Sequence, residues 1–356
     1  MLLTVVSFII VLGVLIFIHE FGHYITAKKS GIMVSEFALG FGPKLIYKKV
    51  GETLYSIRAI PLGGFCNMVG EFPPDESMPE KEREIYEKAK SDGRLFTQKS
   101  PFKKLAVILM GPVMNFLLAV LIFILTFAIF GVPTSSSSET FLGEVIPEQP
   151  AAEAGLEPND KILSINQQEV DNWQEMASLI RGNEGQEIVI QYERDGSVDT
   201  VNITPVSSSE SEGGVIGIYP QLVRENVSFF RSISLGFQQT FMIVQMTIMG
   251  FVQMIAQRTA EDIGGPVMIA SIIGQAARVG IINLLNWTAI ISINLGIINL
   301  LPFPALDGGR ILFIILEILR GKEVDPKIES YIHMLGFAIL IMLMIFIVYR
   351  DLMRSF

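Results

Sequence analysis

Residues 2–23 read LLTVVSFIIVLGVLIFIHEFGH, in which an uncharged apolar run at 2–18 leads directly into the motif H-E-x-x-H at 19–23. The run approaches the roughly 20 residues that cross a bilayer as a helix, and we predict a membrane helix here. On that helix His19 and His23 stand at i and i+4 and share one face, so both imidazoles can reach one metal ion. Glu20 lies beside them, where its carboxylate could accept a proton from a water on the metal.

Two of the three histidines of the chain occur in this motif. A polar side chain without a purpose is costly in or near hydrocarbon, where ionisable residues are usually functional. The alternative is a polar cluster that caps the helix where it leaves the membrane, and the same cost disfavours it. The motif therefore predicts a metal site.

Basic residues indicate which end of this helix is cytoplasmic. The motif is followed by Lys28, Lys29, Lys44, Lys48 and Lys49. By the positive-inside rule these residues are cytoplasmic and the N-terminus is outside. The metal site is therefore expected near the cytoplasmic face and not at the midplane.

The composition indicates a membrane protein with an appended soluble domain. Half of the 356 residues are hydrophobic, and the mean hydropathy is +0.47. Residues 139–213 hold sixteen acidic and three basic side chains, although the net charge of the whole chain is only −9. An acidic domain beside a basic membrane part indicates translocation and not nucleic-acid binding. The single cysteine, Cys66, excludes an internal disulfide and a zinc site made of thiolates.

Residues 35–70 lack helical periodicity. The breaker segments GFGP at 40–43 and PLGGF at 61–65 flank the strand-like residues 54–60. We predict a re-entrant β-hairpin, because non-helical backbone at membrane depth must lie against protein or a wet cavity. An ordinary cytoplasmic hairpin is the alternative. An exposed strand edge can pair with an extended peptide. The candidate substrate-binding residues of this strand are Tyr55, Ser56, Ile57 and Arg58.

Residues 105–130 form the second apolar run and contain the segment GPVMN at 111–115. A small residue followed by an amide four positions later, in lipid, predicts close packing against another helix. Asn115 either orients a substrate or hydrogen-bonds a neighbouring helix, and the segment leaves both roles open.

Two later runs, at 284–301 and 331–349, are predicted as the third and fourth spanning helices. Residues 229–257 are apolar but carry glutamines at positions 238, 239, 245 and 253. We predict that this region lies in the membrane interface, since the number of crossings must return the third helix to the cytoplasmic side. His333, on the fourth helix, is predicted to be a packing or interfacial residue.

Residues 294–309 read NLGIINLLPFPALDGG. Two asparagines, two prolines and an aspartate beside an apolar span are costly unless they are used. The prolines break the helix and turn the chain toward Asp307. A carboxylate is a suitable third zinc ligand beside two histidines, and it leaves the fourth position to water. The alternative is that Asp307 only caps the following helix.

Residues 133–138 read PTSSSS and indicate a linker. Short alternating runs beyond it indicate strands, with a helix between them. Residues 141–206, which include PNDKILSIN at 158–166, resemble a PDZ domain of the bacterial, circularly permuted kind. Such domains hold extended peptide ends, although a purely steric role is the alternative. The resemblance makes Ile216, Gly217 and Ile218 the candidate peptide-binding residues.

The motifs together resemble the site-2 protease family, and more narrowly the bacterial regulator-of-sigma-factor protease group. The residues that carry the resemblance are HEFGH at 19–23, GFGP at 40–43, PLGGF at 61–65, GPVMN at 111–115, the single PDZ domain and NLLPFPALDGG at 299–309.

This resemblance implies an intramembrane zinc endopeptidase of the M50 type. It makes His19, His23 and Asp307 the ligands of Zn²⁺ and Glu20 the catalytic base. Asn294 and Asn299 match positions that handle the substrate, and residues 54–66 match the strand that clamps it. Well-known Gram-negative relatives have two PDZ domains, whereas this chain has one.

The predicted fold is an α-helical polytopic membrane protein with about four transmembrane helices, a membrane-associated β-hairpin and an inserted α+β PDZ domain. Residues 1–134 hold the first two helices and the hairpin, and residues 135–222 form the extracytoplasmic PDZ domain. Residues 223–283 form an interfacial helical region, and residues 284–356 form the last two helices.

The predicted function is cleavage of single-pass transmembrane proteins in the bacterial plasma membrane. Expected substrates are anti-sigma factors already trimmed by an upstream site-1 protease, and remnant signal peptides. The other expected partner is the lipid bilayer, with no nucleic acid. One alternative is a membrane-tethered PDZ adaptor with a vestigial metal site. Another is a transporter or channel, which the confinement of polar residues to two short motifs disfavours.

Overall fold

The computed structural model describes residues 2–71, 74, 78–135, 139–147, 149–208, 211–257, 265–322 and 324–355. The chain divides into two compact units. The first unit consists of Met1–Phe127 and Ser228–Phe356 and contains the long apolar helices, and the second consists of Ala128–Val227.

Helices and strands alternate irregularly along the chain. The helices are α1 (Leu2–Lys29), α2 (Glu80–Ser91), α3 (Pro101–Phe130), α4 (Pro150–Glu153), α5 (Trp173–Gly182), α6 (Phe229–Gln257), α7 (Pro266–Val279), α8 (Ile281–Leu300), α9 (Asp307–Arg320) and α10 (Pro326–Ser355). The strands are β1 (Val34–Val50), β2 (Thr53–Met68), β3 (Val132–Ser135), β4 (Leu142–Val145), β5 (Lys161–Ile165), β6 (Gln168–Glu169), β7 (Ile188–Arg194), β8 (Ser197–Ile203), β9 (Val206–Ser208), β10 (Ser211–Val215), β11 (Ile218–Pro220) and β12 (Leu222–Glu225).

Five helices in the described part of the chain are long and apolar enough to cross a membrane, namely α1, α3, α6, α8 and α10. A helix satisfies its own backbone hydrogen bonds, which is what an apolar run in lipid requires. Four of these helices coincide with the predicted spans, and the predicted fold class is confirmed. The fifth is α6, where the sequence predicted an interfacial region.

Contacts within the first unit show how α6 packs. The hydroxyl of Thr247 donates a hydrogen bond to Oδ1 of Asn294 on α8, at 3.0 Å. Gly236 lies so close to Ile124 of α3 that a Cβ at 236 would be 2.6 Å from its side chain. The helix thus lies beside two predicted spans. The candidate spans number five where about four were predicted, and the interfacial placement of 223–283 stays a prediction.

Strands β1 and β2 form an antiparallel hairpin that doubles back on itself. Near its turn, residues 44–50 pair with residues 53–58. At its open end, residues 36–39 pair with residues 64–67, and on their other side they pair with 54–57 in ascending register. The order of segments across the sheet is therefore 44–50, 53–58, 36–39 and 64–67.

Glycines mark the places where the register of this sheet breaks. Gly40 and Gly42 have φ values of +87° and +83°, and Gly63 has a φ of +120°. These values lie in the region that favours glycine because other residues would place a Cβ against the backbone. These three glycines lie in the two breaker segments of the sequence, at 40–43 and 61–65.

Aromatic and ionic contacts fix the sheet to α1. The hydroxyls of Tyr24 on α1 and Tyr55 on β2 are 2.5 Å apart, and the ring of Phe37 lies 5.3 Å from that of Tyr24. At the hairpin turn, Glu52 pairs with Arg94 at 2.6 Å and also with Lys28. The hydrogen bond from Arg94 lowers the pKa of Glu52 to about 2. The position of the sheet along α1 is therefore fixed at two points.

The second unit has an α+β organisation around its own apolar core. Its main sheet has the strand order β6-β5-β7-β8, and β4 pairs with β11. Helix α5 begins after Asn172, whose side chain accepts a hydrogen bond from the backbone N–H of Glu175. The buried core residues are Leu142, Ala151, Leu156, Ile162, Ile165, Val170, Met176, Ile180, Ile188, Ile190, Ile203 and Ile216.

The boundaries of this unit differ from the predicted ones. Residues 132–135, part of the predicted linker, form β3 and pair with β12 at residues 222–225. The unit therefore extends over Ala128–Val227, beyond the predicted 135–222 at both ends. Serine and threonine in this stretch suggested a linker, but the pairing partner lies far away in sequence. The remainder of the predicted linker, 136–138, lies outside the described residues.

An ion pair ties two loops of the second unit together. Asp160 is 1 % exposed, and its carboxylate accepts two hydrogen bonds from Arg194, each at 2.7 Å. It also accepts a hydrogen bond from the backbone N–H of Glu157 at 2.8 Å. The carboxylate of Glu157, by contrast, is exposed and lies 3.3 Å from Arg194. The buried carboxylate should therefore contribute most of the stability of this cluster.

We expect Asp160→Ala to lower the free energy of unfolding of the second unit by about 2–3 kcal/mol, because it removes charge-assisted hydrogen bonds and leaves Arg194 without them. Glu157→Ala is the matched control and should cost at most about 1 kcal/mol, since exposed ion pairs contribute little. Urea unfolding of residues 128–227 expressed alone measures both. Equal effects of the two substitutions would contradict this ranking.

Candidate active site

Two imidazoles from α1 and one carboxylate from the start of α9 meet at one point in the first unit. Nε2 of His19 lies 3.1 Å from Oδ2 of Asp307, and Nε2 of His23 lies 3.3 Å from the same oxygen. The two Nε2 atoms are 3.2 Å apart. Both histidines are buried and stand one helical turn apart, as the spacing of the motif predicts.

These three donor atoms fit a metal ion. Oδ2 of Asp307 is buried and makes no hydrogen bond within the described structure, although two imidazole nitrogens face it. Lone-pair atoms that converge in this way need a cation between them. Ligand atoms about 2.1 Å from tetrahedral zinc lie about 3.4 Å from one another, close to the separations seen here. Among the residues that the structure describes, His19, His23 and Asp307 are the one such group.

The alternative role of Asp307, as a helix cap, does not fit the structure. Asp307 is the first residue of α9, the N-cap position is Leu306, and no side chain caps the helix. The loop before it packs tightly, because a Cβ on Gly308 or on Gly309 would overlap the carbonyl groups of residues 301 and 303. The two glycines thus let the chain turn closely enough to present the carboxylate.

Nδ1 of each histidine, the ring nitrogen that faces away from Asp307, also has a polar partner. Nδ1 of His23 donates to the carbonyl oxygen of Val107 on α3 at 2.9 Å, which directs an unprotonated Nε2 toward the centre. Nδ1 of His19 faces the amide groups of Asn115 at 3.2 Å and Asn299 at 3.5 Å. Oδ1 of Asn115 is buried without a hydrogen-bond partner. A half-turn of this amide lets Oδ1 accept the proton on Nδ1 of His19.

Asn115 of α3 lies against the imidazole of His19. It is fully buried, on the side of His19 that faces away from Asp307. Of the two roles that the sequence left open, the structure favours a hydrogen bond to a neighbouring helix. Its placement among the candidate substrate-binding residues is corrected, because no surface of its side chain is accessible to a peptide.

Space for the imidazoles depends on Gly111 of α3. A Cβ at this position would overlap the ring of His23 and would lie 3.0 Å from Cε1 of His19. Gly22 on α1 makes room in the same way for the backbone of Met110. The close packing predicted for residues 111–115 is therefore present, and its partner is the helix that carries the histidines.

Glu20 and the three ligand residues line one cavity of about 570 Å³. Residues 63–68 of β2 form a wall of this cavity, and a Cβ on Gly64 would lie 3.3 Å from Cγ of Glu20. Cys66 also lines the cavity, and burial raises the pKa of its thiol. The cavity thus brings a carboxylate, the metal centre and a strand together.

The strand segment beside the metal centre is 64–67, which comes later in the sequence than the predicted substrate-binding strand at 54–60. Residues 64–67 pair with 36–39, and the described chain offers no partner on their other side. Residues 54–57 pair on both sides, so their backbone groups cannot take up a further strand. The free strand edge beside the cavity is therefore 64–67, and substrate binding at Tyr55, Ser56, Ile57 and Arg58 stays a prediction.

Three of these four residues stabilise the sheet itself. Tyr55 contacts Tyr24, as described above. Ser56 donates a hydrogen bond to Oε1 of Glu36 at 2.6 Å, and Arg58 donates to the same oxygen at 2.7 Å. Ile57 is exposed. The sequence pattern identified a strand correctly but could not show that the chain folds back once more at Gly63.

The two predicted asparagines of α8 occupy different positions. Asn299 lines the cavity, whereas the side chain of Asn294 bonds to Thr247 of α6. Only Asn299 is therefore placed to meet a substrate in the cavity. The cavity also includes Arg310, which the sequence did not single out and which pairs with Glu71.

In the second unit, the predicted peptide-binding residues form a turn and a strand. The carbonyl oxygens of Ile216 and Gly217 accept backbone hydrogen bonds from Ala151 and Ile146 at 2.9 and 2.8 Å. Ile218 begins β11, which pairs with β4. Gly217 has a φ of +81°, and a Cβ on it would overlap Gln149. Peptide binding at these residues stays a prediction.

The chain is similar to several known proteins. Residues 7–343 match the model of peptidase family M50. The zinc metalloprotease RasP of Geobacillus kaustophilus is 35% identical over 420 aligned residues, with 99% of this chain and 98% of the relative covered. The regulator of sigma-W protease RasP of Bacillus subtilis is 31% identical, with 99% of each chain covered. The PDZ domain of an SdrC-like protein from Listeria monocytogenes matches 25% of this chain and 93% of its own length, with 22% identity and a TM-score of 0.22.

The chain belongs to peptidase family M50. The predicted resemblance to this family is confirmed, and so are the predicted enzyme class and zinc cofactor, at the level of the family. The individual roles of the site residues stay predictions, which the geometry above supports.

We expect Gly111→Ala to weaken zinc binding by about tenfold or more, because the added methyl group displaces the ring of His23. Gly13→Ala on α1 is the control, since a Cβ there meets open space. Zinc content of the purified proteins and competition with a chelator measure the effect. Unchanged zinc binding in Gly111→Ala would show that the imidazoles do not need this close approach.

Proposed function

We propose that the protein is an endopeptidase that cleaves transmembrane segments of single-pass membrane proteins inside the membrane. The observation that carries this proposal is the position of the metal centre. Two of its ligands lie on α1 and the third follows α8 closely, and both helices are long and apolar enough to cross a bilayer. A substrate helix in the same bilayer can reach a centre placed there.

The residues of the cavity suit hydrolysis of a peptide bond. Zinc, when bound, supplies a Lewis acid that polarises a carbonyl group and makes water more acidic. Glu20 lines the same cavity and accepts the proton of the attacking water. It then returns that proton to the nitrogen of the leaving amine. Asn299, at the same cavity, is placed to hydrogen-bond the substrate.

We propose that the free edge of residues 64–67 holds the substrate. A transmembrane helix hides its carbonyl groups in its own hydrogen bonds, so it must unwind before it can be cut. Pairing with a strand edge replaces those bonds with ladder bonds. Because this edge lines the cavity next to Glu20, a paired peptide passes the metal centre in extended form.

The name of a relative supports a class of substrate. The Bacillus subtilis protein is named a regulator of sigma-W protease. We infer that substrates here include anti-sigma factors and remnant signal peptides, and that an upstream site-1 protease trims the former first. The second unit either binds the new peptide end or excludes untrimmed substrates by size.

We propose that the second unit faces outside and that the metal centre lies near the cytoplasmic face of the plasma membrane. Lysines beyond the C-terminal end of α1 and the acidic composition of 139–213 support this orientation. A cysteine at an exposed position of the second unit, in a Cys66→Ala background, tests it. Labelling of intact cells by an impermeant maleimide is expected, and labelling only after lysis would reverse the orientation.

The competing function is a membrane-tethered adaptor with a vestigial metal site. A vestigial site has no need of buried partners for both histidine rings, yet Val107 and Asn115 are in place. The two functions differ in one respect that can be measured, namely the dependence of cleavage on Glu20.

Purified wild-type protein should cleave a panel of single-pass transmembrane substrates and lose this activity with a zinc chelator. We expect Glu20→Gln to keep zinc and lose at least about 100-fold in rate, because it removes a general base. Asp307→Asn should lose zinc as well, with helix content unchanged. Each substrate is offered with and without its extracytoplasmic domain, and faster cleavage of the trimmed form is expected. Equal cleavage by wild type and Glu20→Gln would contradict the assignment.

A proline scan of the substrate tests the strand edge. Proline removes a backbone N–H, so cleavage should fall at alternate residues near the cut site, those whose N–H joins the ladder. An alanine scan of the same positions is the control for side-chain effects. Losses that are uniform, or that repeat with the period of a helix, would show that the substrate does not pair with residues 64–67.

A further inference from the structure

The turn that presents Asp307 contains an unfavourable backbone conformation. Ala305 has a φ of +76°, in the left-handed region that residues with a Cβ rarely adopt. Asp307 follows two residues later, so the direction of its carboxylate depends on this turn. Something must hold Ala305 in place if the carboxylate is to stay at the metal centre.

The imidazole of His333 on α10 contacts this turn directly. Its Nδ1 accepts a hydrogen bond from the backbone N–H of Ala305 at 2.9 Å, and the described chain provides no other acceptor for that N–H. His333 is buried, and its ring lies 5.5 Å from that of Phe313. The acceptor is therefore fixed in position and shielded from solvent.

A second residue on the same face of α10 packs closely against the turn. Gly336 follows His333 by three positions, and a Cβ on it would overlap Pro304. The helix can approach residues 304 and 305 closely only because position 336 has no side chain. Two residues of α10 thus act on the same two residues of the turn.

We propose that His333 is a positioning residue of the metal centre, whose Nδ1 holds Ala305 in the conformation that brings Asp307 to His19 and His23. It acts through the backbone and touches neither metal nor substrate. The role rests on the metal assignment alone and would stand even if the substrates proposed above were wrong.

The chemistry of the hydrogen bond indicates which substitutions preserve it. Nδ1 accepts only when the ring is neutral with its proton on Nε2, and Nε2 lies 3.8 Å from a carboxylate oxygen of Glu329. An asparagine at 333 places an oxygen close to the position of Nδ1. A glutamine carries its oxygen one bond further, and a leucine has no acceptor.

The test uses the full chain in detergent, stripped of metal and titrated with Zn²⁺ against a chromogenic chelator. We expect His333→Leu and His333→Gln to bind zinc about 10–100-fold more weakly, and His333→Asn to stay within about threefold of wild type. Visible absorption of the Co²⁺-loaded proteins should shift in the first two variants only. Glu329→Gln is the control, because it changes the other side of the ring.

A double substitution separates positioning from simple packing. Glycine adopts positive φ readily, so Ala305→Gly in the His333→Leu background should recover about fivefold or more of the lost zinc affinity. If the ring served only to fill space, removal of a further methyl group would recover nothing.

Wild-type zinc affinity and an unchanged cobalt spectrum in His333→Leu and His333→Gln would overturn the proposal. The proposal would also be overturned if His333→Asn lost as much zinc affinity as His333→Leu and if Ala305→Gly recovered none of it in the His333→Leu background. If His333→Leu does not fold, as judged by circular dichroism, the comparison of asparagine with glutamine at 333 decides the matter. Because no substrate is involved, a failure here is distinguishable from a failure to cleave transmembrane segments.

Discussion

Three groups that would each be costly in an apolar interior, two imidazoles and a carboxylate, face one another at about van der Waals distance in the first unit. A cation is what makes that arrangement favourable. Much of the surrounding structure serves it: Gly111 leaves room for the rings, and Val107 and Asn115 hold their far nitrogens. The metal centre thus constrains how α1 packs against α3, in addition to any role in chemistry.

A second constraint is the position of the sheet. The contacts of Tyr24 with Tyr55 and of Glu52 with Arg94 attach it to α1 and to the segment before α3. Its segment 64–67 consequently lies beside Glu20 without any side chain at Gly64 to intervene. The carboxylate of Glu20 and the free strand edge are therefore held close together by contacts that lie outside the cavity.

The sequence predicted best what depends on local spacing or on the cost of burial. His19 and His23 follow from helical periodicity, and Asp307 follows from the expense of a carboxylate beside an apolar span. The sequence could not predict which strand segments pair when they lie far apart along the chain. Nothing local shows that residues 54–57 are paired on both sides or that 132–135 pairs with 222–225. His333 was predicted to be a packing or interfacial residue, since its partner in the structure is a backbone N–H and a backbone N–H has no signature in the sequence.

The ligands come from segments that lie far apart in the sequence, and this separation matters during biosynthesis. A nascent chain that has inserted only its first helices offers two imidazoles and no carboxylate. It acquires the third ligand after α8 has been made and the turn at 301–306 has formed. Zinc binding by all three side chains is therefore a property of the folded first unit and not of its N-terminal helices alone.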